Sequence, residues 1–373
     1  MNRVTTVYLQ TLLLINFRNY SKAQFSFSNE LNFLTGGNGS GKTSVLDAIH
    51  YLCLGKSYFH YSDQNSVKHE ENFFRLEGNF ANEETHRITC AFQSGNKKEL
   101  QKNGILYPRI ADHVGLIPIV MITPDDQLLI DEGSDERRRF IDNTLSQIDH
   151  SYLESLIDYN RVLQQRNAAL KSFYEKRKTD RSLIETFDQQ LAPLGKKIFA
   201  LRENHFSRMI PMLSKYYELL SDNQENVTAC YNSVCRNEDL ISALHNSFEK
   251  DCATQRTSEG IHRDDFDFFL NNRSLKKFGS QGQKKSFLMS IKFSQFELIR
   301  EGKNRAPLLL LDDLFDKLDK SRASNILQLI AENDFGQVFI TDTNDQRVRD
   351  FISESKKASV HFEIADGLPA PSS

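Results

Sequence analysis

Hydrophobic and polar positions change period several times along the chain, and these changes mark its organisation. Val7 to Ile15 reads as a strand, and Gln24-Phe25-Ser26-Phe27-Ser28 alternates with period two, as a half-buried strand does. Leu31 to Thr35 predicts a further strand that runs into a glycine-rich turn. Beyond the turn, Val45, Leu46, Ile49 and Leu52 recur at helical spacing and predict a helix over 43–54. Strand texture returns from about 73 to 123, with Asn103-Gly104 as a tight hairpin turn and Ile117 to Ile122 as a buried strand.

From about 135 to 220 glycine is nearly absent, and charged residues alternate with apolar ones at helical spacing. Tyr152, Leu153, Leu156, Tyr159 and Leu163 form one stripe. This predicts long helices packed as an arm, interrupted at Pro193-Leu194-Gly195 and continuing to Pro211 and beyond. From roughly 255 a mixed texture resumes, with Leu308 to Leu311 and Gln337 to Thr341 as two buried strands. The expected fold class is therefore α/β: a head discontinuous in sequence, residues 1–135 and 255–373, split by a helical arm over 136–254.

Composition narrows the picture. A chain of 373 residues suits two or so compact units, and 39% hydrophobic with 26% charged residues excludes wholesale disorder. A net charge of −3 excludes a uniformly basic nucleic-acid coat but leaves room for a local basic patch. Two candidates exist: Lys97, Lys98 and Lys102 around the hairpin, and the run Arg161, Arg166, Lys171, Lys176, Arg177, Lys178 and Arg181. For the second, a solvated helix face is the simpler reading. Nothing in either reads base edges, so any nucleic-acid binding through them would be salt-sensitive and structure-selective. Five irregularly spaced cysteines make neither a disulfide framework nor a zinc site, and reduced thiols are expected. Leu12 to Ile15 is far short of the ~18 apolar residues a span needs, so a cytoplasmic protein without membrane contact is expected.

The strongest chemical signal is Gly36-Gly37-Asn38-Gly39-Ser40-Gly41-Lys42-Thr43, followed by Ser44, which matches G-x-x-x-x-G-K-[ST]. Glycines let backbone N–H groups wrap a phosphate, and the following helix aims its positive end at the same group. Lys42 is the candidate ligand of the β- and γ-phosphates, and the Thr43 hydroxyl a candidate Mg²⁺ ligand. Leu308 to Leu311 ends in Asp312-Asp313. Asp312 fits the role of a Mg²⁺-holding carboxylate, and Asp313 that of the group that orients or deprotonates an attacking water. The two halves lie about 270 positions apart, so something large is inserted between them.

Ser280-Gln281-Gly282-Gln283, about 30 residues before that acid pair, resembles the signature motif of the ABC-type ATPases. Further segments are Asn16-Phe17-Arg18-Asn19-Tyr20, Thr123-Pro124-Asp125-Asp126, Arg137 to Asp142, Tyr159-Asn160-Arg161, Gln165-Arg166-Asn167 and Gly260 to Asp265. With them the chain resembles the RecF family of bacterial DNA replication and repair proteins, in the same order from residue 16 to about 343. The resemblance implies an ATP- and Mg²⁺-dependent DNA-binding protein with a weak DNA-stimulated ATPase. It implies a homodimer formed on ATP, in which Ser280, Gly282 and Gln283 of one protomer complete the site of the other. It implies action on single-stranded DNA, duplex DNA and gap junctions, with RecR and RecO as partners, loading of RecA and support of the SOS response. It places Arg18 near the nucleotide, Leu318-Asp319 at the interface loop, and Asp316 and Asp319 among acids serving the metal and the interface. Departures stand out: Thr341 to Thr343 replaces the usual switch histidine, and Pro124-Asp125 stands where a glutamine is usual, with Asp125 or Gln127 as candidate substitutes. His262 to Asp265 is either a nucleotide or interface contact or an ion-paired turn. The alternative function is an ATP-regulated scaffold of the chromosome-structure type.

Overall fold

The computed structural model describes residues 7–60, 62–82, 84–221, 225–313, 320–365 and 368–371. The chain divides into two compact units. The first comprises Met1–Asp126, Leu219–Asp222 and Lys292–Ser373, and the second Gln127–Glu218 and Asn223–Ile291.

In chain order the first unit opens with strands β1 (Tyr8–Phe17), β2 (Tyr20–Ser26) and β3 (Leu31–Thr35) and helix α1 (Lys42–Leu54). Strands β4 (Phe73–Ala81), β5 (Thr85–Gln93), β6 (Glu99–Lys102), β7 (Ile105–Leu106) and β8 (Ile119–Ile122) follow. The second unit holds α2 (Leu128–Asp131), α3 (Ser134–Ile148), α4 (His150–Lys176), all but the last two residues of α5 (Arg181–Leu220), β9 (Val227–Asn232), α6 (Leu240–Asn246) and α7 (Phe248–Thr254). It continues with β10 (Asp265–Leu270), β11 (Arg273–Ser274), α8 (Leu275–Phe278) and the start of α9 (Gln281–Lys303). The chain closes in the first unit with β12 (Leu308–Leu311), α10 (Lys320–Glu332), β13 (Val338–Asp342), α11 (Asp345–Glu354), β14 (Ser359–Ala365) and β15 (Leu368–Pro371).

Two six-stranded sheets build the first unit. One is antiparallel, in the order β2-β1-β4-β5-β6-β7. The other, β15-β14-β3-β13-β12-β8, is parallel except for β15. Helix α1 packs on both, and all of its residues except Thr43 are buried. A helix apolar on nearly every side is what such a sandwiched position requires. Val45, Leu46, Ile49 and Leu52 join one core with Leu12, Leu76, Ile88, Leu310 and Phe339. Each such buried side chain contributes about 1.5–3 kcal/mol, and truncating Leu46 to alanine would cost about 2–5 kcal/mol. The strand order matters for the site. Strand β13 lies between β3 and β12, so the loops after β3 and β12 open at the same carboxyl edge, where α/β sheets bind ligands.

The second unit departs from the sequence expectation in three places. The expected boundary at 254/255 falls instead at Ile291/Lys292. The cause is β10, which pairs with β9 of the insertion, Asp265 opposite Asn232 through Leu270 opposite Val227, and with neither six-stranded sheet. The expected break at Pro193 is absent, because α5 runs through both Pro193 and Pro211. An interior proline costs roughly 3 kcal/mol, and tertiary packing supplies the compensation. Gly195 shows how: a Cβ there would stand 2.3 Å from Leu240 Cδ2, so the glycine lets α6 approach. Third, Arg166 of the basic run is not a surface charge. Its guanidinium is 0% exposed and bonds Asp188 and Asp251, both at 2.7 Å, and the Thr257 hydroxyl at 3.0 Å. The other cations of that run, Arg161, Lys171, Lys176, Arg177, Lys178 and Arg181, are exposed.

The five cysteines are free, with Cys53 and Cys90 buried and their thiols pushed up by burial. Among the described residues no helix is long and apolar enough to cross a membrane.

Candidate nucleotide site

The turn between β3 and α1 is built on three left-handed glycines, Gly36 (φ 145°), Gly39 (φ 79°) and Gly41 (φ 118°). Space confirms two of them. A Cβ on Gly36 would stand 2.3 Å from the Ile364 carbonyl oxygen, and one on Gly41 would stand 2.6 Å from Asn19 Nδ2 and 2.7 Å from the Tyr20 hydroxyl. Gly37 faces open space with an ordinary φ, so that position tolerates other residues. The β1–β2 hairpin braces the loop from outside: Asn19 Nδ2 donates to the Ser40 carbonyl at 3.1 Å and the Tyr20 hydroxyl to the Gly41 carbonyl at 3.2 Å.

Lys42 and Thr43 form the first turn of α1. The buried Lys42 ammonium donates to the Gly36 and Gly37 carbonyls at 2.9 and 3.1 Å, which holds it across the loop. The Ser40 hydroxyl is buried without a hydrogen-bond partner among the described residues. A cleft of about 380 Å³ opens here, lined by Arg18, Gly39, Lys42, Thr43, His60 and Asp313 among others. Two cations, a hydroxyl without a partner among the described residues and the N–H end of a buried helix suit an anion.

The acid pair completes it. Asp312, buried at the end of β12, accepts from the Thr43 hydroxyl at 3.0 Å and the Thr341 hydroxyl at 2.9 Å. Burial, with Asp313 alongside, raises the Asp312 carboxyl to about 6 against those hydrogen bonds. Asp313 adopts a left-handed φ of 42° and is fixed there by its N–H, which donates to Thr341 Oγ1 at 2.8 Å. A hydroxyl and a carboxylate are hard oxygen donors, the set that Mg²⁺ takes. The residues therefore fit a Mg²⁺–nucleotide, with Thr43 and Asp312 to hold the ion. Thr341, expected at the switch position, instead ties the two acids to β13.

Arg18 sits in the two-residue turn between β1 and β2, with a left-handed φ of 53°. Its guanidinium bonds Asp47 Oδ2 at 2.6 Å and stacks 5.3 Å from the Phe59 ring centre, while its Nε has no partner among the described residues. Asn19, His60 and Asn65 also line the cleft. Sequence reading assigned them no role; their only signal is proximity to Arg18 and to the end of α1.

The signature residues belong to the second unit. Ser280 caps α9 in a reciprocal box: Gln283 N–H donates to Ser280 Oγ at 3.2 Å, and Ser280 N–H donates to Gln283 Oε1 at 2.7 Å. The Ser280 oxygen is thus an acceptor in the cap, and its own proton remains available to an anion. Ser280 is exposed, Gly282 lies in the first helical turn, and Gln283 is anchored to Glu225 at 2.6 Å. Gln127, a candidate for the missing glutamine, bonds Gln281 at 3.0 Å and Asp131 at 2.9 Å. Asp125 is exposed, and its neighbour Asp126 pairs with Lys292 at 2.6 Å.

His262 to Asp265 is an ion-paired structural turn. Asp264 is buried, bonded to Arg202 at 3.0 Å and to Tyr231, and Arg137 grips Asp265 at 2.7 Å. His262 faces the Tyr159 hydroxyl at 3.0 Å. Leu318-Asp319 and Asp316 lie outside the described residues.

Comparison with known proteins gives one answer. The family model described as "RecF/RecN/SMC N terminal domain" matches residues 8–362. DNA replication and repair protein RecF of Flavobacterium johnsoniae is 40% identical over 359 residues, covering 96% of this chain and 100% of the relative. RecF of Bacteroides thetaiotaomicron is 39% identical over 362 residues, covering 96% and 97%. Among solved structures, the recombination mediator protein RecF with ATP, in the RecFOR pathway, superposes with a TM-score of 0.91 at 28% identity over 100% of both chains. An Smc head domain with an extended coiled coil matches in fold, at a TM-score of 0.57 and 17% identity over 98% of this chain and 95% of that one. The chain belongs to the RecF family of DNA replication and repair proteins, ABC-type ATPases of the RecF/RecN/SMC group.

Proposed function

We propose that the chain is an ATP-gated DNA-binding protein of recombinational repair and replication-gap processing. The observation that carries the reading is the Thr43–Asp312 hydrogen bond, which unites the P-loop with the acid after β12. Lys42, Ser40 and the first N–H groups of α1 bind the phosphates, and Arg18 approaches them from the hairpin. Thr43 and Asp312 hold Mg²⁺, which when bound neutralises the charge on the β- and γ-phosphates. Asp313 accepts a hydrogen bond from the attacking water and orients it.

A second copy supplies Ser280, Gly282 and Gln283, whose exposed helix start suits a γ-phosphate. ATP then closes a dimer on DNA, and a weak, DNA-stimulated hydrolysis opens it. Gapped DNA, with its single-stranded stretch and flanking duplex, is the expected ligand. RecR and RecO are the expected partners, in loading RecA and supporting the SOS response. The superposition on an ATP-bound RecF and the 40% identity to a curated RecF support this reading.

A salt titration of binding to gapped DNA, with and without ATP, tests it. Binding that appears with ATP and weakens steeply with salt is expected. Binding that ignores ATP, or none in either condition, would overturn it in favour of an ATP-regulated scaffold.

A further inference from the structure

Behind the nucleotide cleft, the first unit buries a polar chain that leads away from the phosphates. It starts at Arg18, bonded to Asp47 Oδ2 at 2.6 Å. Asp47, fully buried on α1, also accepts from the Ser57 hydroxyl at 2.8 Å and the Tyr58 backbone N–H at 2.7 Å. At its other end Tyr58 donates its hydroxyl to Asp126. Asp126 accepts from the Thr123 N–H at 2.7 Å and pairs with the Lys292 ammonium at 2.6 Å. Lys292 is 4% exposed, lies 3.1 Å from the Tyr58 hydroxyl, and donates to the Met121 carbonyl at 2.9 Å. It projects from α9, about three turns beyond Gly282 and Gln283.

Stability alone does not call for these residues. A buried ion pair is often no more stable than apolar side chains of the same volume. A fully bonded buried network, by contrast, enforces one arrangement and propagates its loss. Its two ends have chemistry of their own: Arg18 faces the cleft, and Lys292 belongs to the helix that begins with the signature. Tyr58 is the joint, because its backbone reads Asp47 and its hydroxyl reads Asp126. An anion that draws Arg18 away from Asp47 frees one of the contacts that fix the Ser57-Tyr58 turn.

We propose that Tyr58, Asp126 and Lys292 form a positioning relay through which occupation of the cleft at Arg18 is passed to α9. The proposal rests on the ATP-gated reading above and adds how the gate is transmitted. It assigns no contact with nucleotide to these three residues, so they act through Arg18 and α9.

The test uses the full chain with Tyr58→Phe, which removes one hydroxyl, and with Lys292→Met and Lys292→Arg. ATP affinity, ATP-dependent dimerisation and kcat are measured for each. Tyr58→Phe and Lys292→Met should leave ATP affinity within about threefold and lower kcat and dimer formation about tenfold, the range over which coupling residues act. Lys292→Arg should restore most of the loss, and the double variant should be no worse than the poorer single one. Unchanged kcat and dimerisation in Tyr58→Phe would overturn the relay, as would additive losses or a parallel loss of ATP affinity. Should Lys292→Met fail to fold, Tyr58→Phe alone decides. An unmodified chain that neither dimerises on ATP nor hydrolyses it would overturn the proposed function instead, so the two failures are distinct.

Discussion

The Thr43 hydroxyl donates to Asp312 Oδ1 at 3.0 Å across 269 positions of sequence. The bond ties the first turn of α1 to the end of β12 over the intervening strand β13, and Thr341 on β13 bonds the same carboxylate oxygen. One carboxylate thus receives two hydroxyls on separate elements, and Asp313 beside it is left facing the cleft.

That division of labour separates binding from turnover. Asp313→Asn should keep ATP bound, because Lys42, Thr43 and Asp312 are untouched. Its hydrolysis should fall about 100-fold or more, as loss of a general base or water-orienting group does. Single-turnover hydrolysis alongside equilibrium nucleotide binding checks this. A matching loss of affinity would assign Asp313 to binding.

Arg166 makes the opposite kind of prediction. It is buried among Asp188, Asp251 and Thr257, so Arg166→Met leaves two carboxylates without their cation. Breaking a buried pair by removing one partner costs about 3–5 kcal/mol. Urea unfolding should show that loss, whereas Lys171→Ala and Lys178→Ala on the same helical hairpin should stay within about 0.5 kcal/mol of the parent. A surface role for Arg166 would predict no such difference.

How much of this the sequence disclosed depended on the range of the interaction. The phosphate loop was legible because its glycines, Lys42 and Thr43 are contiguous and each answers a local requirement. Strands β3, β12 and β13 were legible as short apolar runs ending in polar residues, but their pairing order was not, because only tertiary contact sets it. Arg166 and Arg202 were not legible as core, because a charged residue on a helix normally signals solvent and their carboxylate partners lie on other elements. The β9–β10 pairing was hidden for a similar reason: two six-residue strands in helical surroundings join only through tertiary contact. Pro193 misled because propensity is local, while α5 is held by its packing.

His205 gives the molecule a measurable pH dependence. It is buried on α5, and burial, then Arg208, lower its pKa to about 4. In the unfolded chain it titrates near 6.5. Between those values the unfolded state takes a proton that the folded state refuses, so stability present above pH 6.5 is lost as pH falls toward 4. His205→Leu has no such proton to take. The parent should therefore lose stability relative to His205→Leu by about 1.4 kcal/mol per pH unit in that window. Urea midpoints of both proteins at pH 7 and pH 5 measure the difference, and parallel shifts would contradict the assignment.

The central claim is that ATP joins two copies through Ser280, Gly282 and Gln283. Sedimentation velocity of the unmodified chain and of Ser280→Arg, each with ATP and Mg²⁺, tests it most directly. The unmodified chain should shift from monomer to dimer, and Ser280→Arg should bind ATP and stay monomeric. Dimers of equal strength in Ser280→Arg would contradict the shared site.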